Sequence, residues 1–266
     1  MSQLLQHFGF SHHPFSQYTS KKAIYLHKGF QEANKRIFFA SEIYTIAMLI
    51  AESGCGKSLL LKYFSDEIRS QNWVVHYIAH STLSPFSLIN VLALKIGLSP
   101  KRSRGETAMA ITDTFMQDER QCLLVIDEAH DLSNKTMEDI RLLTIGQFDQ
   151  KNPFMLVLSG QACLDDRLAE PIHYALDQRI TTVAKLMPLS FDETQKYILH
   201  RLNGSNVNKT PVFEDGALNA LYDYSTGVPR RINNIATSSL IVAASKGKYI
   251  VSEQDVHDAQ IDRGRA

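Results

Sequence analysis

Apolar residues along this chain gather in short uninterrupted runs, and between the runs they recur with helical spacing. The runs occupy residues 43–50, 73–78, 122–126 and 154–158, with a shorter one at 182–187. Runs of this length, bounded by polar or turn-forming residues, predict parallel strands covered on both faces. Between them Leu60, Leu61, Phe64 and Ile68 share one helical face, as do Ala108, Ile111 and Phe115. Ser133 caps a further helix presenting Met137, Ile140 and Leu143. Residues 85–96 read as a helix stopped by Gly97, and another helical stretch reaches Arg179. Strands that alternate with helices predict an α/β fold around a parallel sheet.

The period changes after Pro188. Ser190 and Glu193 fit a capping box opening a helix that carries Tyr197, Ile198 and Leu202. Leu218, Leu221 and Tyr222 mark a second helix ending at Gly227. Ile232, Ile235, Ala236, Leu240 and Ala243 mark a third, ending at Gly247, and Ser252 is placed to cap a last one. Ahead of the first strand, Phe8-Gly9-Phe10 and Pro14-Phe15 suggest an extended segment, followed by a helix over residues 28–39. The expected organisation is an N-terminal linker and helix packed on the core (1–42), an α/β core (43–188) and an all-helical lid (189–266).

Composition narrows the possible partners. With 28 Lys plus Arg against 28 Asp plus Glu, the chain is no polycation, so any nucleic-acid contact must come from a local patch. Cys55, Cys122 and Cys163 form no C-x-x-C pair, so neither a disulfide framework nor a zinc site is suggested, and a reduced cytoplasm fits. The N-terminus lacks a signal-peptide pattern, and no apolar run approaches the roughly 18–20 residues that cross a bilayer. No membrane partner is expected.

The chemistry starts at Ala51-Glu52-Ser53-Gly54-Cys55-Gly56-Lys57-Ser58. It matches the phosphate-binding loop G-x-x-x-x-G-K-[ST] everywhere except its first glycine. Strand, loop and helix would place Ser53, Gly54, Cys55, Gly56, Lys57, Ser58 and Leu59 around the phosphates of ATP. There main-chain N–H groups and the helix N-terminus favour negative charge. Lys57 would hold the terminal phosphates, and Ser58 would ligate Mg²⁺.

The next motif is Asp127-Glu128, directly after a buried-looking strand. Asp127 would hold Mg²⁺, and Glu128 would orient or deprotonate the attacking water. Asp127-Glu128-Ala129-His130 also spells the DEAH box of helicases, but such an enzyme needs a second α/β lobe, for which there is no room. Three more residues would complete an AAA+ type site. Ser159, at the end of the following strand, could touch the γ-phosphate or the water. Arg179 could reach a neighbouring subunit's nucleotide as a finger. Arg230, in Gly227-Val228-Pro229-Arg230-Arg231, could contact the γ-phosphate from the lid. The ordinary alternatives are a strand-end serine and surface ion pairs.

In this order the motifs resemble those of the ExeA/GspA-like AAA+ ATPases, whose start is also similar to Phe8-Gly9-Phe10 with Pro14-Phe15. The resemblance covers nearly the whole chain and departs from the pattern at Ala51. It implies Asp127-Glu128 as the metal-side carboxylates, Ser159 as a sensor, Arg179 as a finger in trans and Arg230 as a second sensor. The family includes envelope ATPases of secretion and regulators of DNA transposition of the TniB/TnsC type. No membrane-length apolar segment follows Arg231, which leads us to expect the stand-alone, transposition-regulating type. That type implies ATP-dependent rings or helical filaments on duplex DNA, without sequence preference, that recruit transposase and target-selection proteins.

Lys101, Arg102 and Arg104 are the candidate DNA-facing cations, with a solvated basic loop as the plain alternative. Lys246, Lys248, Arg263 and Arg265 are weaker candidates. A secretion or envelope-assembly ATPase, a nucleotide-dependent scaffold and a helicase loader remain open as other readings.

Overall fold

The computed structural model describes residues 3–16, 21–79, 84–146, 152–205, 210–262 and 264. Arg263 and Arg265 lie outside the described residues. The chain forms two compact units, Lys28–Leu186 and a second built from Met1–His27 with Met187–Ala266.

In the first unit, strands β1 (Ile46–Ala51), β2 (Trp73–Ile78), β3 (Gln121–Ile126), β4 (Met155–Gly160) and β5 (Ile180–Leu186) form one sheet in the order β2-β3-β4-β1-β5. Every pairing is parallel. β1 and β4 are buried along their whole length, as continuous apolar runs require. The register pairs Ile50 with Gly160 and Ile126 with Leu158. The carboxyl ends of β1, β3 and β4 therefore lie side by side, and the strand order reverses at β1. In open α/β sheets, ligands bind in the crevice beyond the strand ends at such a switch point.

Two expected boundaries shift for local reasons. The first strand starts at Ile46 rather than residue 43, because the helix Lys28–Glu42 ends in a turn with Tyr44 in the left-handed region (φ 53°). The helical stretch towards Arg179 breaks into Ala162–Leu168, Pro171–His173 and Tyr174–Asp177, since a proline cannot continue the preceding helix.

The second unit packs the helices Phe191–Asn203, Asp215–Ser225, Pro229–Ser245 and Glu253–Asp262. The expected capping box is present. Glu193 N–H donates to Ser190 Oγ at 3.3 Å, and Ser190 N–H donates to Glu193 Oε2 at 3.1 Å. Residues 1–27 belong to this unit, whereas the helix Lys28–Glu42 belongs to the sheet unit. Phe8, Phe10 and Phe15 account for the division, because they are buried in one cluster with Ile198, Leu202 and Phe213. The segment expected to be extended begins as a short helix, Gln3–Phe8, and six residues are too few for periodicity to show which face they cover.

Gly227 closes a turn that only glycine fits. Its φ is +74°, and a Cβ there would lie 1.9 Å from the Leu189 carbonyl oxygen. The Leu189 N–H donates to the Gly227 carbonyl at 2.9 Å, which holds the two segments together. Gly227→Ala is expected to cost about 2–4 kcal/mol of stability, from combined clash and backbone strain. Urea denaturation would measure it, and an unchanged midpoint would mean that the turn relaxes freely.

Candidate functional site

The loop after β1 takes its shape from two glycines. Gly54 (φ 90°) and Gly56 (φ 103°) lie in the left-handed region, and Ala51 does not. Glycine is therefore required at positions 54 and 56, and the alanine at the motif's first position is accommodated without strain. Ala51 is the buried last residue of β1. Gly56 precedes the helix Lys57–Arg69, which has no side-chain cap and no acidic residue in its first turn. Its first N–H groups and the positive end of its dipole are thus available to an anion.

Lys57 strengthens that reading. Its side chain is 5% exposed, and its Nζ donates to the Ala51 carbonyl at 3.2 Å. Among the described residues, the carboxylate that pairs with it is Glu128, with Oε1 3.8 Å away. A buried ammonium is costly unless well neutralised, so this one suits a phosphate better than its present partners.

Asp127 is the hub. It is 3% exposed and follows β3 directly. Its Oδ1 accepts from Ser159 Oγ at 2.8 Å and from the Glu128 N–H at 3.0 Å. Its Oδ2 accepts from Tyr77 Oη at 2.6 Å and from Ser58 Oγ at 3.2 Å. Oxygen donors from Ser58 and Asp127 at one point suit Mg²⁺, a hard cation usually held by one or two carboxylates together with phosphate oxygens. The Ser159 hydroxyl, expected to face the phosphate or the water, is fully buried and holds the Asp127 carboxylate.

Tyr77 was not singled out from the sequence, where it is simply part of an apolar run. Burial, then the neighbouring Asp127, raises its pKa well above the ordinary tyrosine value, so its hydroxyl stays a donor across the physiological range. A tyrosine near the carboxyl end of a strand was the only available signal.

Glu128 sits in the left-handed region (φ 52°, ψ 39°), a conformation that costs a non-glycine residue of order 1–3 kcal/mol and concentrates at functional sites. The Asp127 side chain accepting from its N–H helps to hold it there. This turn aims the Glu128 carboxylate between Lys57 and His130, whose Nδ1 is 3.4 Å from Glu128 Oε2.

The remaining candidates lie on other elements. Arg179 lies in the turn before β5, half-buried, with Nη1 at 3.4 Å from both the Thr144 carbonyl and Asn152 Oδ1. Arg230 is exposed on the first turn of Pro229–Ser245, in the helical unit. Lys101 and Arg102 are exposed. Arg104, at the start of the helix Arg104–Gln117, is 3.3 Å from the nearly buried carboxylate of Asp139. Burial raises the Asp139 pKa and Arg104 opposes that rise, which ties Arg104 to the packing of its own helix. Lys246 and Lys248 ion-pair with the fully buried Asp255 at 2.7 and 3.0 Å, so their charge is committed within the helical unit.

Known proteins resemble this chain in its domain and its fold. Residues 44–168 match the family described as AAA domain, which spans β1 to the helix after β4. General secretion pathway protein A of Aeromonas hydrophila is 28% identical over 257 residues, covering 94% of this chain and 47% of that protein. The chain thus spans about half the length of the curated relatives it matches. Among solved structures, Cdc6p of Pyrobaculum aerophilum superposes with a TM-score of 0.73 at 15% identity, covering 94% of this chain and 70% of that one. The ORC1 protein of Aeropyrum pernix, solved in complex with DNA, gives 0.68 at 14% identity, covering 96% and 70%. At such identities these two show a shared fold. Among the described residues no helix is long and apolar enough to cross a membrane.

Proposed function

We propose that this chain, whose residues 44–168 match an AAA domain, works as an AAA+ ATPase. It binds ATP with Mg²⁺, hydrolyses it at subunit interfaces, and assembles on duplex DNA to regulate target selection and transposase recruitment in transposition. The observation that carries the nucleotide chemistry is the buried Asp127 carboxylate. It is bonded to Ser58 on one side and followed by Glu128, whose own carboxylate lies 3.8 Å from the Lys57 ammonium.

The chain's residues divide the work. The N–H groups of residues 53–59 and the Lys57 ammonium bind the phosphates, and Ser58 with Asp127 holds the metal. Bound Mg²⁺ supplies charge neutralisation on the phosphate oxygens. Tyr77 and Ser159 keep the Asp127 carboxylate in one orientation. Glu128 accepts a proton from water at a carboxylate oxygen and aims that water. Arg179 of a neighbouring subunit stabilises the charge that develops, and Arg230 acts as a second sensor of the nucleotide.

The shared fold includes a protein solved with DNA, and Lys101 and Arg102 are exposed where Arg104 is held by Asp139. A few cations per subunit suffice for sequence-independent phosphate contact when many subunits line up. ATP and duplex DNA together are expected to convert the protein into rings or filaments visible by negative-stain microscopy. Lys101→Glu with Arg102→Glu should weaken binding equally on unrelated sequences. A protein that stays monomeric with ATP and DNA at all salt concentrations would exclude the transposition reading. One second reading has its own support: the 28% identity to general secretion pathway protein A favours a secretion or envelope-assembly ATPase. Stimulation of turnover by DNA separates the two.

A further inference from the structure

His130 takes no part in the chemistry assigned above, yet it is fixed from three sides. Its ring is 11% exposed, with Nδ1 at 3.4 Å from Glu128 Oε2. Its Nε2 is 2.9 Å from the side-chain nitrogen of Gln161, which follows β4 directly. Asp131 Oδ1 is the other acidic atom near it, 3.7 Å from Nε2. Arg167 anchors the main chain beneath the ring. One guanidinium nitrogen donates to the His130 carbonyl, and the other to the Leu132 carbonyl and Asn134 Oδ1, at 2.7 and 2.8 Å. Gly160 allows the close approach, because a Cβ there would fall 2.8 Å from Leu164 Cδ2 and 3.4 Å from the His130 nitrogen.

The arrangement has a chemical direction. An amide nitrogen can only donate, so a neutral His130 accepts at Nε2 and carries its proton on Nδ1. That Nδ1 is buried and makes no hydrogen bond, because the Glu128 carboxylate, 3.4 Å away, is out of line with the N–H. The same carboxylate is also the nearest one to Lys57. Were the ammonium to turn to a bound phosphate, the Nδ1–H would still lie beside Glu128.

We propose that His130 is a positioning residue for Glu128. Gln161 sets its tautomer, and the Nδ1–H then holds the carboxylate where it can act on water. This rests on the role given to Glu128 above, so the test has one arm that needs no turnover. In that arm, ring ¹⁵N spectra of the whole nucleotide-free chain should show His130 protonated on Nδ1. The preference should be lost in Gln161→Ala, and the Nδ1 signal should shift in Glu128→Gln. In the second arm, His130→Ala should lower kcat by about 10²-fold, the scale of a misplaced catalytic group. KM for ATP and the melting temperature should stay near wild type. His130→Asn, whose amide nitrogen overlays Nδ1, should recover most of the rate.

A proton on Nε2 in the wild type would overturn the inference. So would His130→Ala turning over at the wild-type rate, or His130→Asn proving as slow as His130→Ala at equal stability. If the wild type hydrolyses no ATP, the functional reading fails by itself and the spectra alone decide the role of His130.

Discussion

Glu128→Gln is expected to bind ATP about as well as the wild type and to turn it over some 10²–10⁴-fold more slowly, the usual contribution of a general base. The amide keeps the size and the left-handed backbone turn but cannot accept the proton. The separation is clean because Glu128 is not among the groups that hold the phosphates. Its neighbours are Lys57 at 3.8 Å and His130 at 3.4 Å, while Asp127 and Ser58 are the groups proposed to provide oxygens for the metal. Single-turnover measurement with the protein in excess over ATP would read the chemical step directly. If the assembly cycle is driven by hydrolysis, the variant's assemblies on DNA should outlast those of the wild type. Equal lifetimes would mean that binding matters and turnover does not, which is the scaffold reading.

Lys57→Ala should act earlier, on binding. Removing the ammonium takes away the strongest fixed positive charge of the loop, with a loss of about 3 kcal/mol, or roughly a hundredfold in nucleotide affinity. The nucleotide-free protein should not be weakened to match. Lys57 is nearly buried and donates to one main-chain carbonyl, so the folded state already bears the cost of a poorly neutralised charge. A thermal shift experiment distinguishes the two effects. At ligand a hundredfold above its Kd the wild type should gain about 2.7 kcal/mol, and the variant at the same concentration very little. A variant that keeps the nucleotide-induced shift would show that the loop's N–H groups alone hold the phosphates.

The two substitutions therefore fail in different ways, and that difference is informative about the site. One leaves a loaded, stalled protein and the other an empty one. Only the first should prolong assembly, since assembly is proposed to follow the bound state.

Much of this was legible in the sequence, because the signals were local. The apolar runs located all five strands, the capping box at Ser190 was present, and the loop from Gly54 to Ser58 forms the predicted strand–loop–helix junction. Asp127 and Glu128 stand out in the sequence because covalent adjacency to a buried strand is itself a pattern. Other features depend on which strands become neighbours, and alternation of strands and helices leaves that order open. β3 lies between β2 and β4, so Tyr77 and Ser159 converge on Asp127, and Gln161 reaches His130. Each of these partners comes from a segment remote in sequence; Ser159 is legible as a site candidate but not as a donor to Asp127, and Tyr77 and Gln161 read as ordinary strand-end or turn residues. Ala51 shows the same limit at the scale of a dihedral angle. A motif compares residue types, but only the folded backbone decides where a glycine is needed. Here it is needed at 54 and 56, where φ is positive, and not at 51.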